Sequence, residues 1–242
     1  MIRGFLFDLG GTLFHFQGHS DLDLFRMGSE RSYALLTDRH SLRVDYETYY
    51  RLVSRAFKSR WYWSLVSGRE ISARRLFRRL GGPLGLDPAE DIWPNIERAW
   101  HEPAGERVQI IDGGAELLEA LKNRGARLGI TSNTVWSGPV VLGMLDQLKI
   151  RTFFETFTFS SEIGFRKPHR KIYLDALQKM GLPRSQVGFI GNQFREDVRG
   201  PQRHGMRAIY LSQKESHFPF FSPRHQARTL AEVKEIALGW CQ

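Results

Sequence analysis

The sequence predicts an α/β protein: a doubly wound, Rossmann-like parallel sheet core with an inserted α-helical cap domain. Three observations predict it. The chain opens with an apolar strand, Ile2 to Phe7, that runs straight into an acid and a glycine turn, Asp8-Leu9-Gly10-Gly11-Thr12-Leu13. From there to about Arg127 strand character is lost and amphipathic helical periodicity takes over. From Gly113 onward helices alternate with short apolar runs, the pattern of parallel strands joined by right-handed crossovers.

Taken in order, Phe5, Leu6 and Phe7 read as buried, so Asp8 sits at a strand's carboxyl end, where ligands of open α/β sheets bind. Gly10 and Gly11 let the backbone bend close to a ligand, so that N–H groups can converge on an anion. Leu22, Phe25, Met27, Tyr33, Leu35 and Leu36 suit one helix, and Tyr46, Tyr49, Tyr50, Val53 and Phe57 a second. A third is expected near Ile71 to Leu80 and a fourth near Ala89 to Trp100, punctuated by turns at Gly81-Gly82-Pro83 and Asp87-Pro88. Trp61, Trp63, Trp93 and Trp100 are read as the large side chains that fill the core of this helical module. Later strands are expected at Arg127 to Thr131, Phe157 to Phe159, Val187 to Ile190 and Ala208 to Leu211. Helices fit between and after them, at about Ala115 to Asn123, Pro139 to Leu148, Arg170 to Met180, Glu196 to His204 and Leu230 to Leu238. The expected units are therefore a core of residues 1–15 with 108–242 and a cap of residues 16–107, hinged near Phe14 to Gly18 and Val108 to Gly113.

A chain of 242 residues with 41% hydrophobic and 25% charged content has enough apolar material for a sizeable core, and disorder is not indicated. No segment is long and apolar enough to span a bilayer, and nothing resembles a secretory leader, so a cytoplasmic protein without a membrane partner is expected. Cys241 is the sole cysteine, which excludes an intrachain disulfide, a cysteine metal cluster and a two-cysteine redox motif. The 35 Lys and Arg against 26 Asp and Glu give a net charge of +9, which favours an anionic substrate. Arg74, Arg75, Arg78 and Arg79 are read as a solvated helix face rather than a specific nucleic-acid site. His217-Phe218-Pro219-Phe220-Phe221-Ser222-Pro223 is an aromatic loop read as packing.

Three further segments put reactive groups where a parallel sheet gathers them. Leu128-Gly129-Ile130-Thr131-Ser132-Asn133 ends a strand with a hydroxyl and an amide. Gly164-Phe165-Arg166-Lys167-Pro168 sets a lysine before a helix, and Val187-Gly188-Phe189-Ile190-Gly191-Asn192, followed by Asp197, ends another strand with an amide and then an acid. In order and spacing, these and the first segment resemble the four motifs of the haloacid dehalogenase superfamily of hydrolases, and the inserted helices resemble its first type of cap. The resemblance covers essentially the whole chain. It implies that Asp8 is a nucleophile that attacks phosphorus and carries a transient aspartyl phosphate, which splits one difficult displacement into two easier ones. It implies that Lys167 balances the concentrating negative charge. Gly11, Ser132, Asn133 and Lys167 are implied to bind the phosphoryl group, with Asn133 orienting its loop. Magnesium is the implied cofactor, held by Asp8, the Gly10 carbonyl, Asp197 and Asn192, with waters.

Two positions depart from the family pattern. Its phosphatases usually carry a second Asp two places after the nucleophile, to protonate the leaving oxygen; this chain has Gly10, and such acid–base help is worth about a hundredfold to ten-thousandfold. Asn192 stands where a further acid is usual, so magnesium is expected to bind less tightly. His15 is the nearest candidate to replace the missing acid. The expected function is magnesium-dependent hydrolysis of a small phosphate monoester, with a small anionic, phosphorylated metabolite as the expected partner. The alternatives are a phospholigand-binding or regulatory protein that has lost turnover, and a dehalogenase, whose branch typically has tyrosine at the Gly10 position.

Overall fold

A computed structural model of the chain describes residues 1–40, 42, 44–87, 91–212 and 223–241. The strands are β1 (Gly4–Phe7), β2 (Phe14–Phe16), β3 (Val108–Ile110), β4 (Arg127–Ser132), β5 (Thr156–Phe159), β6 (Val187–Gly191), β7 (Arg207–Leu211) and β8 (Gln226–Ala227). Helices α1 (Asp21–His40), α2 (Tyr46–Ser67), α3 (Ala73–Leu84) and α4 (Trp93–Gly105) lie between β2 and β3. Helices α5 (Gly114–Asn123), α6 (Gly138–Gln147), α7 (Ser160–Ile163), α8 (Arg170–Met180), α9 (Gly200–Arg203) and α10 (Leu230–Trp240) accompany the later strands.

Six strands form one parallel sheet in the order β5-β4-β1-β6-β7-β8. A parallel strand buried on both faces needs apolar residues throughout, and all of β1 is buried. Side chains alternate across it. Phe5 and Phe7 join a core with Leu117 of α5, Val141 of α6 and Val233 of α10, while Leu6 packs with Phe189, Ile172 and Tyr173 on the opposite face. Helices therefore cover both faces, as the sequence predicts.

The inserted helices bury a core of their own, built from Tyr49, Phe57, Phe77, Trp93, Ile96 and Trp100. Asp45 and Ser72 cap α2 and α3 through their side chains, and Gly68 and Gly85 close both helices in the left-handed conformation. Gly81-Gly82-Pro83, expected as a turn, instead lies in the last turn of α3. Packing overrides local propensity there, because a side chain at Gly81 would approach the Trp93 ring to 2.8 Å. Part of the expected fourth helix and of the Asp87-Pro88 turn, with His217 to Ser222 of the aromatic loop, lie outside the described residues.

The insertion joins the core through a two-stranded antiparallel ribbon, β2 with β3, in which His15 faces Gln109. The expected helix from Glu196 to His204 is in fact a π-type turn, Phe194–Arg199, followed by α9. The two ribbon strands, β8 and α7 have too few residues to show a hydrophobic period.

Candidate active site

The sheet order creates the site. β1 lies between β4 and β6, so the loops that follow these strands part company at the carboxyl edge and leave a crevice. Asp8 stands on its floor, 7% exposed, and its N–H donates to the Ile190 carbonyl at 2.9 Å, which extends the β1–β6 ladder by one residue. Lys167 enters from the loop between α7 and α8. Its Nζ donates to Asp8 Oδ1 at 2.7 Å and to Asp197 Oδ1 at 2.6 Å, so a single buried ammonium joins both carboxylates. Ser132 Oγ, at the end of β4, donates to Asp8 Oδ1 at 3.3 Å, and Thr12 Oγ1 donates to Asp8 Oδ2 at 3.3 Å.

Each of these groups is held by its neighbours. Asn133 accepts the Lys167 N–H at Oδ1 (2.7 Å) and donates through Nδ2 to the Lys167 carbonyl (3.2 Å). Its amide thus orients the lysine loop. The π-type turn lets Asp197 double back, with Gln193 N–H donating to its Oδ2 at 2.8 Å. The Tyr173 hydroxyl of α8 supports this turn by donating to the Glu196 carbonyl. Gly191 is required, because a Cβ there would lie 2.4 Å from Asp197 Cγ. Gly11 is required too, with φ +73° and a Cβ position 2.3 Å from Asn192 Nδ2. Its N–H donates to the Phe14 carbonyl at 2.8 Å, so Gly11 shapes the turn and that amide is not free for an anion, contrary to expectation.

Burial pushes the Asp197 carboxyl up to about 7; Lys167 opposes the shift and the charge on Asp8 adds to it. Burial alone would lower the Lys167 ammonium, but the two carboxylates outweigh it and hold its pKa above the ordinary value, which keeps it charged. Among the described residues no group of three or more His, Cys, Asp or Glu side chains is gathered for a metal. The local donors are nevertheless all hard oxygens: two carboxylates that share one ammonium, plus the Asn192 amide, whose Oδ1 is 3.4 Å from Thr12 Oγ1, and the carbonyl of Gly10. Oxygen donors supplemented by water suit magnesium.

Gly10 faces open space, since a Cβ built there meets nothing nearer than Phe14 Cε2 at 4.0 Å. The missing acid is therefore not sterically excluded. His15 is not among the residues that line the adjoining cavity. Phe14 and Phe16 line the cavity above Asp8, and His15, alternating with them on β2, is exposed.

Above the floor opens a cavity of about 710 Å³ that runs between the core loops and the inserted helices. The insertion is laced to those loops through backbone: Arg166 N–H to Gly68 O at 3.0 Å, Glu70 N–H to Gly164 O at 3.1 Å, and Ala73 N–H to Val135 O at 2.9 Å. The Arg166 guanidinium stacks 4.7 Å from the Trp61 ring centroid and donates to Ser64 Oγ at 2.9 Å, so it is no idle surface residue. Trp61 and Trp63, expected as core filler, are 45% and 58% exposed, and Trp61 borders the cavity. Arg75, Arg78 and Arg79 do form an exposed helix face. Arg74 turns inward to the fully buried Glu97, which also accepts the N–H and hydroxyl of Ser137 at 2.8 Å each, at the start of α6. No periodicity or motif marks this Arg74–Glu97–Ser137 link, whereas Thr12 and Arg166 lie within segments already singled out.

A family model for the haloacid dehalogenase-like hydrolases matches residues 2–205, and the chain belongs to that family. Over 214 residues it is 27% identical to a glyceraldehyde 3-phosphate phosphatase from Pyrococcus abyssi, covering 87% of this chain and 82% of that protein. A glyceraldehyde 3-phosphate phosphatase from Methanothermobacter thermautotrophicus is 36% identical over 96 residues, 38% of this chain and 40% of that protein, so the match spans less than half of the relative's length. The fold is similar to that of a 2-haloacid dehalogenase from Pseudomonas syringae pv. tomato DC3000, with a TM-score of 0.70, 20% identity, and 99% and 100% of the two chains covered. No helix among the described residues is long and apolar enough to cross a membrane.

Proposed function

We propose that the protein hydrolyses a phosphate monoester, with Asp8 as the nucleophile, and that residues 1–15 and 108–242 form the reacting core beneath a cap of residues 16–107. The observation that carries this reading is the convergence of Asp8, Lys167, Asp197 and Ser132 on one buried point. A carboxylate attacking a phosphate brings two anions together, and Lys167 supplies a preorganised countercharge at Asp8 Oδ1. Ser132 Oγ and its loop receive the phosphoryl oxygens, while Asn133 fixes the lysine backbone. Magnesium, when bound by Asp8, the Gly10 carbonyl, Asp197 and Asn192, supplies further charge neutralisation between nucleophile and phosphate. Asp8 Oδ attacks phosphorus and the ester oxygen leaves with the bonding pair. Water then attacks the phosphorus of the aspartyl phosphate, which releases inorganic phosphate, restores the carboxylate and gives a proton to solvent.

The relatives' phosphatase names support this reading. Magnesium-dependent phosphate release from a panel of esters tests it. Asp8→Asn is expected to abolish release, and an unchanged rate in the variant contradicts the assignment. Gly10, bare of any proton donor, favours a second reading in which the chain binds phosphoryl ligands without turning them over. Brisk magnesium-dependent turnover by the unaltered protein excludes that reading.

A further inference from the structure

The floor of the cavity is polar, lined by Gly10, Ser132 and Asn133 of the loops that flank Asp8, but its wall is not. Among the described residues nine aromatics border it, including Phe16, Tyr50, Phe57, Trp61, Tyr62 and Trp136. Its charged lining groups are few, and two are engaged. Glu70 accepts from Ser160 Oγ at 2.7 Å and from the Ile71 N–H at 2.8 Å, and Arg166 is held by Ser64 over Trp61. A ligand rich in hydroxyls would leave water for a wall with little to offer in return, which costs free energy for each bond left unmade. A flat ring finds stacking and edge contacts instead. At about 710 Å³ the space far exceeds what a phosphate group fills, and Trp61 and Tyr62, at 45% and 69% exposed, extend the aromatic surface to its mouth.

The chemistry of the floor points the same way. With Gly10 there is no side chain to protonate the leaving oxygen. An alcohol, about as weak an acid as water, must be protonated as it departs, whereas a phenol, with a pKa of about 10, leaves readily as the anion. Wall and floor thus select the same feature of the ester.

We propose that the substrate is an aryl phosphate monoester whose phosphate rests on Asp8 and whose ring occupies the aromatic cavity between core and cap. The proposal rests on the phosphatase reading and deepens it. In its first step Asp8 Oδ bonds to phosphorus, the bond from phosphorus to the aryl oxygen breaks, and the electron pair leaves on an aryloxide that takes its proton from solvent. No proton is asked of residue 10.

Two measurements on the full chain test it, and they separate its failure from that of the phosphatase reading. In the presence of magnesium, kcat/KM for 1-naphthyl phosphate is expected to exceed that for glycerol 2-phosphate by about a hundredfold, the scale of burying one ring system. Equal values, or faster release from the glycerol ester, overturn the aryl assignment while leaving the phosphatase reading intact. Without reference to turnover, naphthylmethylphosphonate is expected to bind about a hundredfold tighter than methylphosphonate by titration calorimetry. Trp61→Ala, at a part-exposed position, is expected to shrink that ratio about tenfold. Equal binding of the two phosphonates overturns the proposal. Discrimination in binding with no ester hydrolysed at all upholds the aromatic cavity and removes the phosphatase reading instead.

Discussion

The floor and the wall of one cavity are built on opposite principles. On the floor, charges are buried and every one is answered: the Lys167 ammonium is bonded to Asp8 and Asp197, which in turn accept from Ser132, Thr12 and Gln193. In the helical insertion large rings are buried, and among the described residues several buried polar atoms there have no hydrogen-bond partner. Tyr46 Oη, Ser54 Oγ, Trp100 Nε1 and His101 Nε2 are buried without hydrogen-bond partners. The contrast teaches which part does which task. A floor of paired charge can meet an incoming anion and a cation without rebuilding itself, and a mainly aromatic wall selects a ligand chiefly by shape and stacking.

The largest effect should come from breaking the floor. Lys167→Met leaves two buried carboxylates facing each other, which costs roughly 3–5 kcal/mol of stability, and it removes the countercharge at the nucleophile, worth about a hundredfold to a thousandfold in rate. Denaturant titration and phosphate release at saturating magnesium would measure the two losses separately. Wild-type values in both would refute the paired-charge account.

The helical insertion should reveal itself through pH. His101 of α4, buried edge-on against Trp136, is pushed by burial down to about 4. Its folded value lies below the ordinary 6.5, so the folded protein prefers the neutral ring. As pH falls below about 6.5 the unfolded chain takes up a proton that the folded chain refuses, and stability declines until about 4, by at most roughly 3 kcal/mol. Urea unfolding across that window is expected to show this decline in the wild type and to lose that component in His101→Phe. Identical pH slopes in the two proteins would contradict a neutral buried ring.

A smaller, favourable change should come from restoring the missing acid. The open space at Gly10 admits a side chain, so Gly10→Asp is expected to speed hydrolysis of alkyl phosphates up to about a hundredfold and to help aryl phosphates much less. Equal acceleration of both would mean that leaving-group protonation does not limit the native enzyme.

The two regions were unequally legible in the sequence. Asp8, Ser132, Lys167 and Asp197 could be read because a parallel sheet collects strand ends on one edge, so the order of the segments implies their meeting. The fold followed from the same alternation of apolar runs and helices. What escaped was set by contacts that have no period. Arg74 looked like one more arginine on a helix face until Glu97, twenty-three positions away, drew it inward. Trp61 looked like core filler, yet it lies on the outer side of α2 where Arg166 of the opposite unit covers it. Gly11 looked like an anion donor, but the tightness of its turn directs the N–H to Phe14.

The most direct test of the central assignment is to mix the protein with magnesium and an ester that it hydrolyses, quench in acid during the first turnover, and locate any phosphoryl group by peptide mass spectrometry. The account predicts one phosphoryl group on Asp8, absent without magnesium. Turnover that leaves Asp8 unmodified at every quench time, or that marks a different residue, would contradict it.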